Sequence, residues 1–76
     1  MVIKVMGGGC KSCEKLHEYA KTAVEELGID AEVLYITDME EIMKAGIMST
    51  PALIVDDVVK ATGRVPKTKE IKKMIG

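Results

Sequence analysis

The 76-residue sequence contains no Phe, Trp, Asn or Gln, and only two Cys, two Pro and one His. Without Phe or Trp, and with only two Tyr, the core must be built mainly from aliphatic and methionine side chains. Missing thermolabile amides beside abundant Glu and Lys point to a thermophilic source. An excess of positive charge is also lacking: the formal net charge is −1, which excludes the electrostatic footprint of a nucleic-acid binder or a polybasic membrane surface. No stretch approaches the ~20 consecutive apolar residues of a membrane span, and Met1–Met6 is too short for the apolar region of a signal peptide. A soluble cytoplasmic protein is expected, a monomer with neither nucleic acid nor membrane among its partners.

The apolar fraction of 47% and charged fraction of 30% describe one small globular domain spanning residues 1–76. At this length folding alone is marginal, so every apolar face must be used. The two cysteines stand in Met6-Gly7-Gly8-Gly9-Cys10-Lys11-Ser12-Cys13, where an apolar run ends, three glycines follow and a helical pattern opens. In a reducing compartment a single close pair is more often catalytic or metal-binding than a structural staple. The spacing puts both thiols about one helical turn apart, able to close a small disulfide ring or share a metal ion. Unpaired N–H groups and the dipole at a helix start favour a thiolate at Cys10, lowering its pKa from the free value of ~8.5, and Lys11 adds a nearby cation. Cys13, one turn further in, is placed to attack a mixed disulfide formed at Cys10. Cys10 is thus the attacking thiol and Cys13 the resolving one.

Val2–Met6 reads as a short buried strand. Leu16, Ala20, Ala23, Val24 and Leu27 form the stripe of an amphipathic helix from about Lys11 to Leu27, stopped by Gly28. A second strand over Ile29–Ile36 fits a parallel crossover. Thr37 and Asp38, with Glu40 and Glu41 three residues on, form a capping-box signature for a short helix toward Gly46. After Ser49-Thr50-Pro51, Ala52–Val55 and Val58–Ala61 read as a hairpin turning at Asp56-Asp57. A last helix runs from about Lys67 to Ile75, with Ile71, Met74 and Ile75 apolar on one side. The expected class is α/β, in the order βαβαββα: a four-stranded mixed sheet with helices on both faces.

A strand, Cys-x-x-Cys at a helix start, and βαββα with Thr-Pro opening the third strand resemble the thioredoxin fold in its short, glutaredoxin-like form. The Met48-Ser49-Thr50-Pro51-Ala52-Leu53 segment and the Gly63-Arg64-Val65-Pro66 run resemble the small archaeal and bacterial redox-active disulfide proteins of that superfamily. The resemblance implies a cis peptide at Pro51, packed with Thr50 against the disulfide; an X-Pro bond tolerates cis better than any other. It implies an oxidoreductase that exchanges protein disulfides without a bound cofactor and is recharged by a thioredoxin-reductase-like, flavin- or nicotinamide-dependent partner. Free backbone groups of Thr50 would take an extended substrate as an added strand. Lys11 and Ser12, between the cysteines, would meet the substrate. Against the larger thioredoxins, Gly9 replaces an aromatic residue, Lys11-Ser12 replaces Gly-Pro, and no buried acid accompanies the resolving cysteine. The aromatic and tyrosine features of a glutathione site are missing too.

A soft-metal carrier is the alternative, because Met6 and the glycines before Cys-x-x-Cys also resemble the loop of heavy-metal-associated copper chaperones. That fold runs βαββαβ and requires a strand where Thr37–Ala45 reads as helical. His17, four residues after Cys13, could join a zinc site, although a fourth ligand is missing; the bland reading is a half-exposed helix residue. Met6, Met39, Met43, Met48 and Met74 are expected to be adaptable core filling rather than a copper set.

Overall fold

The apolar residues of the chain sort onto two faces of one sheet, and that sorting accounts for the architecture. In the computed structural model, which describes residues 1–76, the elements are β1 (Val2–Met6), α1 (Lys11–Leu27), β2 (Glu32–Ile36), α2 (Met39–Lys44), β3 (Ala52–Val55), β4 (Val58–Thr62) and α3 (Thr68–Ile75). The sheet order is β2-β1-β3-β4. β1 pairs parallel with β2 and antiparallel with β3, and β3 pairs antiparallel with β4. The order βαβαββα and the mixed four-stranded sheet are those expected from the sequence.

Because side chains alternate across a strand, Ile3 and Val5 of β1 face one way and Met6 the other. Ile3, Val5, Leu53, Val55 and Ala61 meet Leu16, Ala20 and Ala23 of α1 and Ile71 and Ile75 of α3 in the larger core cluster. Met6, Ala52 and Ile54 meet Ile42 of α2 and Ile47 in a smaller one. Small residues at Ala20 and Ala23 let α1 lie close to the sheet, and α3 packs alongside it. Gly28, left-handed at φ 63°, ends α1 by donating its N–H to Glu25 and Val24 carbonyls.

Several expectations need correction. β2 begins at Glu32 rather than Ile29: Ile29 and Ala31 pack against the core from the connection after Gly28. The N-cap of α2 is Asp38, whose carboxylate accepts from Glu40 N–H at 2.9 Å, two residues on rather than three. The last helix starts at Thr68 with Lys67 as its N-cap. Three of the five methionines expected in the core are not there. Met39, Met43 and Met48 are 59%, 72% and 97% exposed, while Met6 is buried and Met74 packs at the core edge. For Met39 and Met43 the reason is the brevity of α2, which at six residues buries Ile42 alone; Met48 lies beyond it, in the connection to β3. The βαββαβ order of the metal-carrier alternative is overturned by α2, which stands where that fold has a strand, and by the terminal α3.

Strand β3 turns into β4 through Asp56 (φ 47°) and Asp57 (φ 68°), both left-handed as a tight primed hairpin turn requires. Asp56 also accepts from Val2 N–H at 2.8 Å through its carboxylate, tying the turn to the start of β1. Asp57 makes only a 3.9 Å contact with Lys4 and its side chain is 92% exposed, so it contributes little to offset its backbone conformation. Replacing it with glycine, which adopts φ > 0 freely, is expected to stabilise the fold by about 0.5–1 kcal/mol. In a domain this small that raises the melting temperature by about 2–8 °C. Thermal unfolding of Asp57→Gly followed by circular dichroism checks this; a lowered midpoint contradicts it.

Candidate active site: the Cys10–Cys13 pair

The site forms where β1 runs out. Gly7 N–H still donates to the Ile36 carbonyl at 3.0 Å, extending the β1–β2 pairing one residue past the strand. The chain then turns through Gly8 and Gly9, the latter left-handed at φ 85°, and reaches Cys10. Cys10 is the N-cap of α1, extended at φ −75° and ψ 166°. Its Sγ accepts from Cys13 N–H at 3.2 Å and its carbonyl accepts from Glu14 N–H at 3.0 Å. A cysteine therefore does what Ser or Asp does at most helix starts, satisfying an orphan N–H of the first turn.

Cys10 and Cys13 are joined as a disulfide, with Cα atoms 5.1 Å apart. The two ends of this bond lie in different surroundings. Cys10 is exposed on the rim, whereas Cys13 has no solvent-accessible surface. The reason Cys13 can sink so far is Gly7: a Cβ there would lie 2.8 Å from Cys13 Cβ and closer still to its Sγ. No polar or charged residue is among those buried as a whole, so the inner sulfur sits among apolar groups.

The other strand ends meet at the same edge. Met6 pairs with Ala52, which by register sets Pro51 across from Gly7. The Thr50–Pro51 peptide bond is cis, Pro51 is buried, and its carbonyl accepts from Gly63 N–H at 2.9 Å. Thr50 is exposed, and neither its N–H nor its C=O is hydrogen-bonded within the protein. Lys11 and Ser12 are exposed on the first turn of α1. Met48, two residues before Thr50, projects almost wholly into solvent.

His17 is half-buried, as its bland reading implied, and its ring stacks on Tyr35 with centroids 4.9 Å apart. No three His, Cys, Asp or Glu side chains come together as a metal-binding group. Two features escaped sequence reasoning. The glycines before the cysteines were legible as conformational freedom, but the close approach of Cys13 to Gly7 was not. Nor does any sequence signal pair His17 with Tyr35, 18 positions away, because that contact exists only once α1 crosses β2.

An exposed cysteine capping a helix, disulfide-bonded to a buried one beside a Thr-cisPro corner on a βαβαββα scaffold, defines a protein of thiol–disulfide exchange. Comparison with known proteins agrees. The Thioredoxin domain family model matches residues 1–76. A thioredoxin of Methanothermobacter thermautotrophicus is 45% identical over 75 residues, covering 99% of this chain and 97% of that one. A thioredoxin of Methanocaldococcus jannaschii is 44% identical over 73 residues, covering 96% and 84%. The chain belongs to the thioredoxin family and is a thiol–disulfide oxidoreductase. Both relatives come from thermophilic archaea. No helix is long and apolar enough to cross a membrane.

The Gly7 contact yields a paired test. Gly7→Ala forces a methyl group into the space of the Cys13 side chain, an overpacking expected to cost about 1–3 kcal/mol. Gly8→Ala meets nothing within 4 Å and is expected to stay within about 0.5 kcal/mol of the parent. Denaturant unfolding of both variants, with free thiols counted after air oxidation, checks this. Equal effects of the two substitutions contradict the contact's role.

Proposed function

We propose that the Cys10 thiolate attacks protein disulfides and that Cys13 resolves the resulting mixed disulfide. The observation that carries this assignment is the contrast between an exposed sulfur at the N-cap of α1 and a wholly buried one a turn behind it. The attacking thiolate is favoured by the N–H groups and dipole at the start of α1. In the first step Cys10 Sγ bonds to one substrate sulfur, the substrate S–S bond breaks and a substrate thiolate leaves. In the second, the Cys13 thiolate attacks Cys10 Sγ and closes the intramolecular disulfide, and the second substrate thiol is released. The substrate gains two electrons and the dithiol loses two.

Thr50 holds the substrate. Its unpaired backbone N–H and C=O accept an extended segment as an added strand beside the Cys10 rim. Pro51, without an N–H, keeps that corner free of competing sheet pairing. Lys11 and Ser12 flank the arriving disulfide, and Lys11 supplies positive charge near the developing thiolates. The exposed, adaptable Met48 adds an apolar contact. No bound cofactor is needed; an external thioredoxin-reductase-like enzyme restores the dithiol. The 76 residues act as one domain, a cytoplasmic monomer.

Cys10→Ser is expected to abolish reduction of a protein disulfide such as that of insulin. Cys13→Ser is expected to accumulate mixed disulfides through Cys10 that the wild type resolves. Non-reducing gels with peptide mass mapping read both outcomes. If the trapped bonds run through the remaining cysteine of Cys10→Ser instead, the roles are reversed.

A further inference from the structure

Resting on the roles just proposed, the second step requires Cys13 to give up a proton, and no Asp, Glu, His or Lys is among the fully buried residues. Apolar surroundings penalise the thiolate, so a proton acceptor must reach in from the margin. We infer that His17, aimed by its stack on Tyr35, accepts the Cys13 proton during resolution of the mixed disulfide.

Two observations and one rule of helix geometry converge on this residue. His17 lies four positions after Cys13 on α1, so the two side chains share a face, about 5–6 Å apart at Cβ. Helical side chains lean toward the N-terminus of their helix, which carries the imidazole back over the Cys13 turn rather than away from it. Tyr35 then holds the ring there from the strand side. Its own position is set beside the site: Tyr35 pairs with Val5, and the next residue, Ile36, accepts the hydrogen bond of Gly7, against which Cys13 packs.

The chemistry of the corner agrees with the geometry. The Tyr35 hydroxyl is buried and has no hydrogen-bond partner, so this margin of the core carries unused polar capacity next to the imidazole. Histidine is the side-chain type that exchanges protons between about pH 5 and 8, and the chain contains one. On α1 the charged groups one turn to either side of it are Glu14 and Lys21, of opposite sign. The β2 residues on the facing side, Val33 and Tyr35, bring no charge; these two side chains pack against the same cluster as α1.

The proton balance is closed. Cys13 S–H passes its proton to a ring nitrogen of His17, directly or through one water. The thiolate attacks Cys10 Sγ, and the bond from Cys10 to the substrate sulfur breaks. The imidazolium then returns its proton to the departing thiolate, or to water where the leaving thiol is too acidic to keep it, and His17 is neutral again.

The test is a stopped-flow reaction of the reduced full-length chain with excess nitrobenzoate disulfide, whose released thiolate is coloured. The first equivalent released reports attack by Cys10, the second closure by Cys13. His17→Gln is expected to leave the first phase within about twofold and to slow the second at least about tenfold below pH 7, in the range of a lost general base. The gap is expected to narrow steadily as the pH rises, because hydroxide then takes the thiol proton without the imidazole. Tyr35→Leu, which keeps the imidazole but removes its platform, is expected to slow the second phase in the same pH range by a smaller factor. A second phase in His17→Gln that matches wild type at every pH overturns the inference. So does one slowed by the same factor throughout, which marks a purely structural effect. A Tyr35→Leu second phase equal to wild type overturns the stack as the feature that aims the ring. Loss of the first phase in the wild type itself is a different result, which refutes attack by Cys10 and not the role of His17.

Discussion

Everything at the catalytic edge depends on the contact between Cys13 and Gly7. The last residues of β1 and the first turn of α1 must approach closely for a cysteine at the third helical position to lie under the sheet's end, and a glycine at Gly7 is what permits it. With Cys13 buried there, the helix axis is set, and Cys10 at the N-cap is left on the rim with its sulfur on the Cys13 N–H. The difference in exposure between two chemically identical side chains thus follows from one missing Cβ. That difference is the basis for the proposed division of the dithiol into an attacking and a resolving half.

The rest of the fold holds β1 still. β1 lies inside the sheet, paired on both sides, and its Ile3 and Val5 are wholly buried beneath α1 and α3. The two core clusters are unequal in a way that suits the function. The larger one fixes the helix that carries the cysteines, while the smaller one under α2 is shallow and leaves methionines outside. Because β1 and β2 run parallel and β3 runs against them, the carboxyl ends of the first two and the amino end of the third meet at one edge. The Cys10 loop, the start of α2 and the Thr50–Pro51 corner are neighbours for that reason, although 40 positions separate Cys10 from Thr50.

Much of this was legible in the amino-acid sequence. Alternation and helical periodicity located β1, α1, β3 and β4 almost to the residue, and the Gly28 and Asp56-Asp57 punctuation fell where left-handed backbone is needed. The misreadings share a cause. Apolar character reports burial rather than conformation, so Ile29 and Ala31, packed on the core from a connection, were read as strand. Methionine reports neither reliably: Met39 and Met43 follow a helical spacing, but a six-residue helix has only one face to bury. Contacts made by the assembled fold left no trace in local pattern. The His17–Tyr35 stack and the Gly7–Cys13 packing both join elements whose approach is decided by the core as a whole.

The asymmetry of the dithiol is the centre of this account, and alkylation of the reduced protein measures it directly. Iodoacetamide at neutral pH, with timed quenching and peptide mass mapping, gives a separate rate for each cysteine without any partner protein. Modification of Cys10 at least about tenfold faster than Cys13 is the predicted result, because the first is exposed at a helix N-terminus and the second is enclosed. Equal rates, or a faster Cys13, would contradict the assignment of attacking and resolving sulfurs.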